Sequence, residues 1–134
     1  MRDHQRGMLV FLSLAWVSQR KRQRLGRDRF LLLTAREACR AGWLDVAARC
    51  REIVLAGSPG HLIGQSPTVA DALRDDDFQP FLRQLERFCS YEHAEHLLAG
   101  QESAPPLPPA DSPVSAGEFA LQLLAAPEWS ADST

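Results

Sequence analysis

Cys89, His93 and His96 are the set of side chains in this sequence whose types and spacing suit a chemical task. On a continuous helix, positions i, i+4 and i+7 share one face. Thiolate and imidazole are the donors that zinc prefers. Glu92 or Glu95 could add a carboxylate, and His61 could come from a loop. Against this stands Ser90, which reads as a helix cap separating the cysteine from the two histidines. Zinc binding is therefore carried as an alternative, and no cofactor is the first expectation.

Other chemistry finds less support. The chain lacks a glycine-rich phosphate loop, a nucleophile elbow and a metalloprotease helix. Glu92 with His96 resembles a base and its orienter, but many helix pairs do. Asp75-Asp76-Asp77 lacks the interspersed oxygen ligands and the glycine of a calcium loop, so it reads as a cap for the next helix. Catalysis is not expected.

Charge is unevenly distributed. The 134 residues carry a net charge of −2, yet residues 1–29 hold eight basic and two acidic side chains. Such asymmetry either neutralises itself in cis or marks an electrostatic docking end. Arg20, Arg24 and Arg27 would share a face if one helix ran through them, and such a face can grip phosphates. No aromatics interleave these arginines to stack on bases. A solvated helix end is the preferred reading, with Arg20, Arg22 and Arg24 as candidates for attachment to anionic lipid or nucleic acid.

The run Met8–Val17 is strongly apolar but too short to cross a bilayer. Arg2 and Arg6 precede it as in a signal sequence, but the basic block after Gln19 opposes translocation. A buried first helix from about Gly7 to Leu25, with a turn at Gly26, is expected. An interfacial membrane helix is the minor option.

The elements that must position these groups centre on Leu31 to His61. Leu31, Leu32, Thr34, Ala35, Ala38, Cys39 and Ala41 follow helical spacing, with Arg36, Glu37 and Arg40 on the outer face. Gly42 can take positive φ and ends that helix in an Ala41-Gly42-Trp43 turn. A second helix follows, with Leu44, Ala47, Ala48, Cys50, Ile53, Val54 and Leu55 inward, and closes at Gly57-Ser58-Pro59-Gly60. Taking Pro59 as a terminal proline, Leu55, Ala47, Gly42 and Ala35 match a repeat pattern of 34 residues. On those residues the segment resembles a single tetratricopeptide-type hairpin, which implies a helix-turn-helix packing unit and a protein partner. Ala38, Arg51 and Thr34 depart from the pattern, and no second copy at the same period is visible.

Beyond the hairpin, Ser66-Pro67 reads as a helix start, Phe78–Phe88 as an amphipathic helix, and Ser90 as the cap of a helix ending at Gly100. Five prolines in residues 101–114 mark an extended linker. Ser115 to Glu118 has capping-box spacing ahead of a short amphipathic helix. That helix either docks back onto the body or offers Phe119, Leu123 and Leu124 to a partner's groove.

With 45% hydrophobic residues, the chain reads as a small all-α domain of about five short helices, residues 1–100. A linker (101–114) and a flexible tail (115–134) follow. Cys39, Cys50 and Cys89 form no even disulfide framework and read as reduced thiols of a cytoplasmic protein. Fourteen arginines against one lysine suggest a GC-rich, bacterial genome. The leading expectation is a non-catalytic protein-protein interaction or scaffold module with helical-repeat-like packing.

Overall fold

The computed structural model describes residues 3–109 and 111–133, with side chains through Ser130. Arg2, one of the residues weighed as a signal feature, lies outside them. Among the described residues all regular structure is helical. No helix among them is long and apolar enough to cross a membrane.

Helix α1 (His4–Arg20) starts at Asp3, whose carboxylate accepts from the Gln5 and Arg6 N–H groups. Every residue from Gly7 to Gln19 is buried. A helix that is apolar on all sides belongs in the centre of a fold. Here α1 is enclosed by α2 (Arg24–Ala41), α6 (Tyr91–Ala99), α7 (Ala116–Leu124) and the final 3-10 segment Pro127–Ser133. Met8, Val10, Phe11 and Leu12 are completely buried. Each such side chain contributes about 1.5–3 kcal/mol relative to exposure.

Helix α1 stops at Arg20, short of the expected Leu25. Arg22 takes φ 60° and reverses the chain. Its N–H donates to the Gln19 carbonyl (3.0 Å), and the Gln23 N–H donates to the Ser18 carbonyl (2.9 Å). This is a Schellman motif. The same motif ends α2: Gly42 sits at φ 88°, its N–H donates to Cys39 (3.3 Å), and the Trp43 N–H donates to Ala38 (2.8 Å). The first turn uses an arginine where the second uses a glycine. Gly26 is consequently inside α2.

Helices α2 and α3 (Leu44–Gly57) form the hairpin, entered at Arg24 rather than Leu31. Contact between α1 and α2 is the most extensive in the fold. The packing centre is thus the α1–α2 pair, and α3 is its flank. Arg36 and Glu37, expected on the outer face, are 3% and 0% exposed. The reason is that α2 is covered on several sides: α1 and α3, then α4 (Val69–Arg74) and α5 (Gln79–Phe88).

The remaining caps are local. Thr68, not Ser66, starts α4 by accepting from the Asp71 N–H (3.1 Å). Asp75 accepts from the Asp77 N–H (2.9 Å), so the aspartate run does cap the 3-10 turn leading into α5. Ser90 starts α6 by accepting from the His93 N–H (3.1 Å). Ser115 accepts from the Glu118 N–H (3.2 Å) at the start of α7.

Of the two arrangements open to α7, the structure shows it packed on α1 and α3. Ala120 and Leu124 are fully buried. The Arg49 side chain donates to the Leu124 carbonyl (3.1 Å), meeting the negative end of α7. The segment after α7 is pinned as well. Trp129 lies edge-on to Trp16 (5.5 Å between centroids) and donates from its indole to the Leu123 carbonyl (2.9 Å). Gln19 donates to the Glu128 carbonyl (2.7 Å).

Candidate functional site

The most promising recess is an apolar groove along α3. A cavity of about 330 Å³ opens between the first turns of α3 and the start of α4. Leu44, Ala47, Ala48, Pro67 and Val69 supply its walls, and Cys39 on α2 reaches it. The small alanines that give α3 its helical propensity also leave room for the groove. Leu44 is 57% exposed beside it, a large apolar side chain that the fold has not covered.

Three charged residues, Asp45, Arg51 and Glu52, line this groove. Arg51 donates to the Ser66 carbonyl (3.0 Å), which fixes its guanidinium against the loop before α4. The Arg51 Nε–H is buried and has no acceptor among the described residues. Such a donor carries a desolvation cost until an acceptor reaches it. Glu52 supplies an exposed carboxylate. Burial pushes the Cys39 thiol above its ordinary value, so it is held as a neutral thiol rather than a nucleophilic thiolate.

The sequence-derived metal candidates separate in space. Cys89 ends α5 with extended backbone, is 2% exposed, and directs its Sγ to the Ser90 carbonyl (3.5 Å). Burial pushes its thiol up to about 11. His93 and His96 lie on exposed positions of α6, their rings stacked at 6.5 Å. The Ser90 cap breaks the helix that would have put all three on one face. Among the described residues no group of three or more metal-ligating side chains comes together.

The basic candidates also divide. Arg20, Arg22 and Arg24 are exposed around the α1–α2 turn, but Arg27 is 1% exposed. Arg27 donates to Asp28 (3.0 and 2.8 Å) and Gln19 (2.9 Å), so it is a structural cation. Desolvation raises the Asp28 carboxyl above its ordinary value against the opposing pull of Arg27. Of the tail residues, Leu124 is buried, and Phe119 and Leu123 are half-buried against the core. Docked in this way, α7 does not present them as a free apolar stripe.

Two further polar clusters were not legible beforehand. Glu37 accepts from His4 (3.0 Å) and lies 3.8 Å from Arg40, sealed beneath Gly7. Arg6 grips Glu95 through two bonds (3.2 and 3.1 Å), and the Tyr91 hydroxyl donates to the same carboxylate. Arg6 lowers the Glu95 carboxyl, while burial and then Glu95 push the Tyr91 phenol up to about 12. These contacts join the start of α1 to α2 and α6. Their sequence separations of 33 and 89 residues lie beyond any local pattern.

Comparison with known proteins finds no matching family model, no matching curated protein and no matching solved structure.

Proposed function

We propose that this chain is a non-catalytic protein-interaction module whose partner lays an apolar segment into the groove between α3 and α4. The observation that carries this reading is the open, alanine-floored cavity with Leu44 uncovered at its edge. An amphipathic helix offering one or two leucine-sized side chains suits a groove of this size.

The helical-hairpin resemblance of residues 31–61 supports the same class of function. Three free cysteines support a reducing compartment, and with it a cytoplasmic setting in a bacterium with arginine-rich coding bias.

A photo-crosslinking residue placed at Ala48, which is exposed at the groove, tests the reading in host cells. A single defined crosslinked protein is expected, lost when Leu44→Glu is introduced with an unchanged melting temperature. Crosslinking that is absent, or indifferent to Leu44→Glu, would overturn it.

A further inference from the structure

We propose that the α1–α2 turn, Arg20 to Leu25, is a docking tip for a membrane surface rich in anionic phospholipid. This is a second surface, independent of the groove on α3. Every residue from Arg20 to Leu25 is exposed. Leu25 is 65% exposed, more than any other large hydrophobic among the described residues. It directly follows Arg-Lys-Arg-Gln-Arg, the densest run of cations in the chain.

Three cations of this tip, Arg20, Lys21 and Arg22, face no carboxylate among the described residues. Arg20 lies over the Trp16 ring at 6.0 Å, and Lys21 donates to the neutral Gln101 amide (3.3 Å). Glu128 meets this end of the molecule through its main-chain carbonyl. Arg24 also lines an open recess of about 360 Å³ with Arg27 and Arg49, in which Glu52 is the acidic lining residue. Within it Arg27 is held by Asp28 and Arg49 by Glu52, so the charge offered by the tip rests on Arg20, Lys21 and Arg22.

Two local choices here run against folding rules. Arg22 occupies a left-handed position that glycine fills without steric cost, and Leu25 is left in water. Departures of this kind gather where a sequence serves function rather than stability. Cations beside an inserted aliphatic side chain suit the lipid interface, where phosphates and acyl chains lie a few ångströms apart. A nucleic acid offers the same charge but no place for leucine, and Trp16 beneath Arg20 is too buried to stack on bases.

The test uses the full chain and sedimentation with vesicles. One set is phosphatidylcholine alone, and another has about a third of its lipid as phosphatidylserine. Binding is expected to the anionic vesicles only, and to weaken as salt rises. Arg20→Gln, Arg22→Gln and Arg24→Gln together should reduce it roughly 100-fold, at about five-fold for each cation. Leu25→Ser should reduce it about tenfold without changing the salt dependence. Arg22→Gly separates this role from folding, because it should raise the melting temperature while weakening vesicle binding about five-fold.

Equal binding to both vesicles, or full binding by the triple variant, would overturn the proposal. So would a duplex oligonucleotide that binds as tightly as the anionic vesicles while Leu25→Ser changes nothing. That pattern would mark a generic polyanion surface instead.

Discussion

Gly117 on α7 lies against the indole of Trp43 in the α2–α3 turn, so closely that a Cβ added there would stand 2.1 Å from the ring. No rotamer of an added methyl avoids such a contact, since the Cβ position is fixed by the backbone. Gly117 is therefore the point at which the C-terminal helix meets the hairpin. It converts a short amphipathic segment into part of the core, with Leu124 and Trp129 buried behind it.

Gly117→Ala is accordingly expected to lift the start of α7 and lower stability by about 1–3 kcal/mol, as overpacking does. Urea unfolding measures the loss. Tryptophan emission should shift to longer wavelength as Trp43 and Trp129 gain water. Unchanged stability and emission would mean that α7 does not rest on Trp43.

Gly7 shows a second close approach, with the opposite sign from what helix propensity gives. Alanine is normally favoured over glycine inside a helix by about 1 kcal/mol. A Cβ at Gly7 would stand 2.3 Å from a carboxylate oxygen of Glu37, which is fully buried. Gly7→Ala must displace that carboxylate from His4 and Arg40, so a loss of about 2 kcal/mol or more is expected. A stabilised variant in thermal melts would refute the packing.

The paired turns allow a mirrored test. Arg22→Gly relieves a left-handed arginine and should stabilise by about 0.5–1 kcal/mol. Gly42→Ala imposes the same conformation on a residue with a Cβ and should destabilise by about 1 kcal/mol. The added atom meets nothing within 4 Å at Gly42, so this cost is conformational alone. Effects of the same sign at both turns would contradict the shared motif.

His61 predicts a dependence on acidity. Burial lowers its pKa below the ordinary 6.5, against a smaller opposing pull from Asp28. Its Nδ1 accepts from the Ile63 N–H (3.0 Å), which requires the neutral ring. The unfolded chain thus binds the proton more readily. Stability linked to His61 is fully present above 6.5 and falls as pH drops through the depressed folded value. Asn offers an oxygen near the Nδ1 position without titrating in this range. The difference in unfolding free energy between wild type and His61→Asn should therefore slope only across that window. A flat difference would sink the assignment.

Ser13 is completely buried on α1, and its hydroxyl has no partner among the described residues. An unsatisfied buried hydroxyl costs about 1–3 kcal/mol of desolvation. Ser13→Ala should be neutral or stabilising by up to about 1 kcal/mol. Marked destabilisation on thermal denaturation would reveal a hydrogen bond at that site.

Sequence and structure agree where the determinant is local. Gly42 announced its turn because positive φ favours a residue without a Cβ. Asp75, Ser90 and Ser115 announced their caps because a short polar side chain can reach the N–H groups of the following turn. The Met8–Val17 run announced a buried helix by having no polar face. Arg22 announced nothing, since its left-handed conformation is imposed by the packing of α1 on α2, and the nearby Gly26 drew the boundary too far along.

Amphipathic spacing likewise placed Arg36 and Glu37 outward, because periodicity assumes one buried face per helix. Only the assembled fold surrounds α2 and draws in His4 from α1 and Glu86 from α5 as partners for that pair. The groove on α3 belongs to the same category, being space left between α3 and α4 by small side chains. The Cys89, His93 and His96 pattern shows the limit most directly. Residue types and spacing make it a possible ligand set, but Ser90 breaks the helix, and the direction of each side chain then follows from the tertiary contacts. By itself the sequence determined helices, caps and the hairpin, through interactions spanning a few residues. Which faces are covered, which charges are buried and which surfaces stay open depended on contacts between residues far apart in the chain, and no local pattern carries that information.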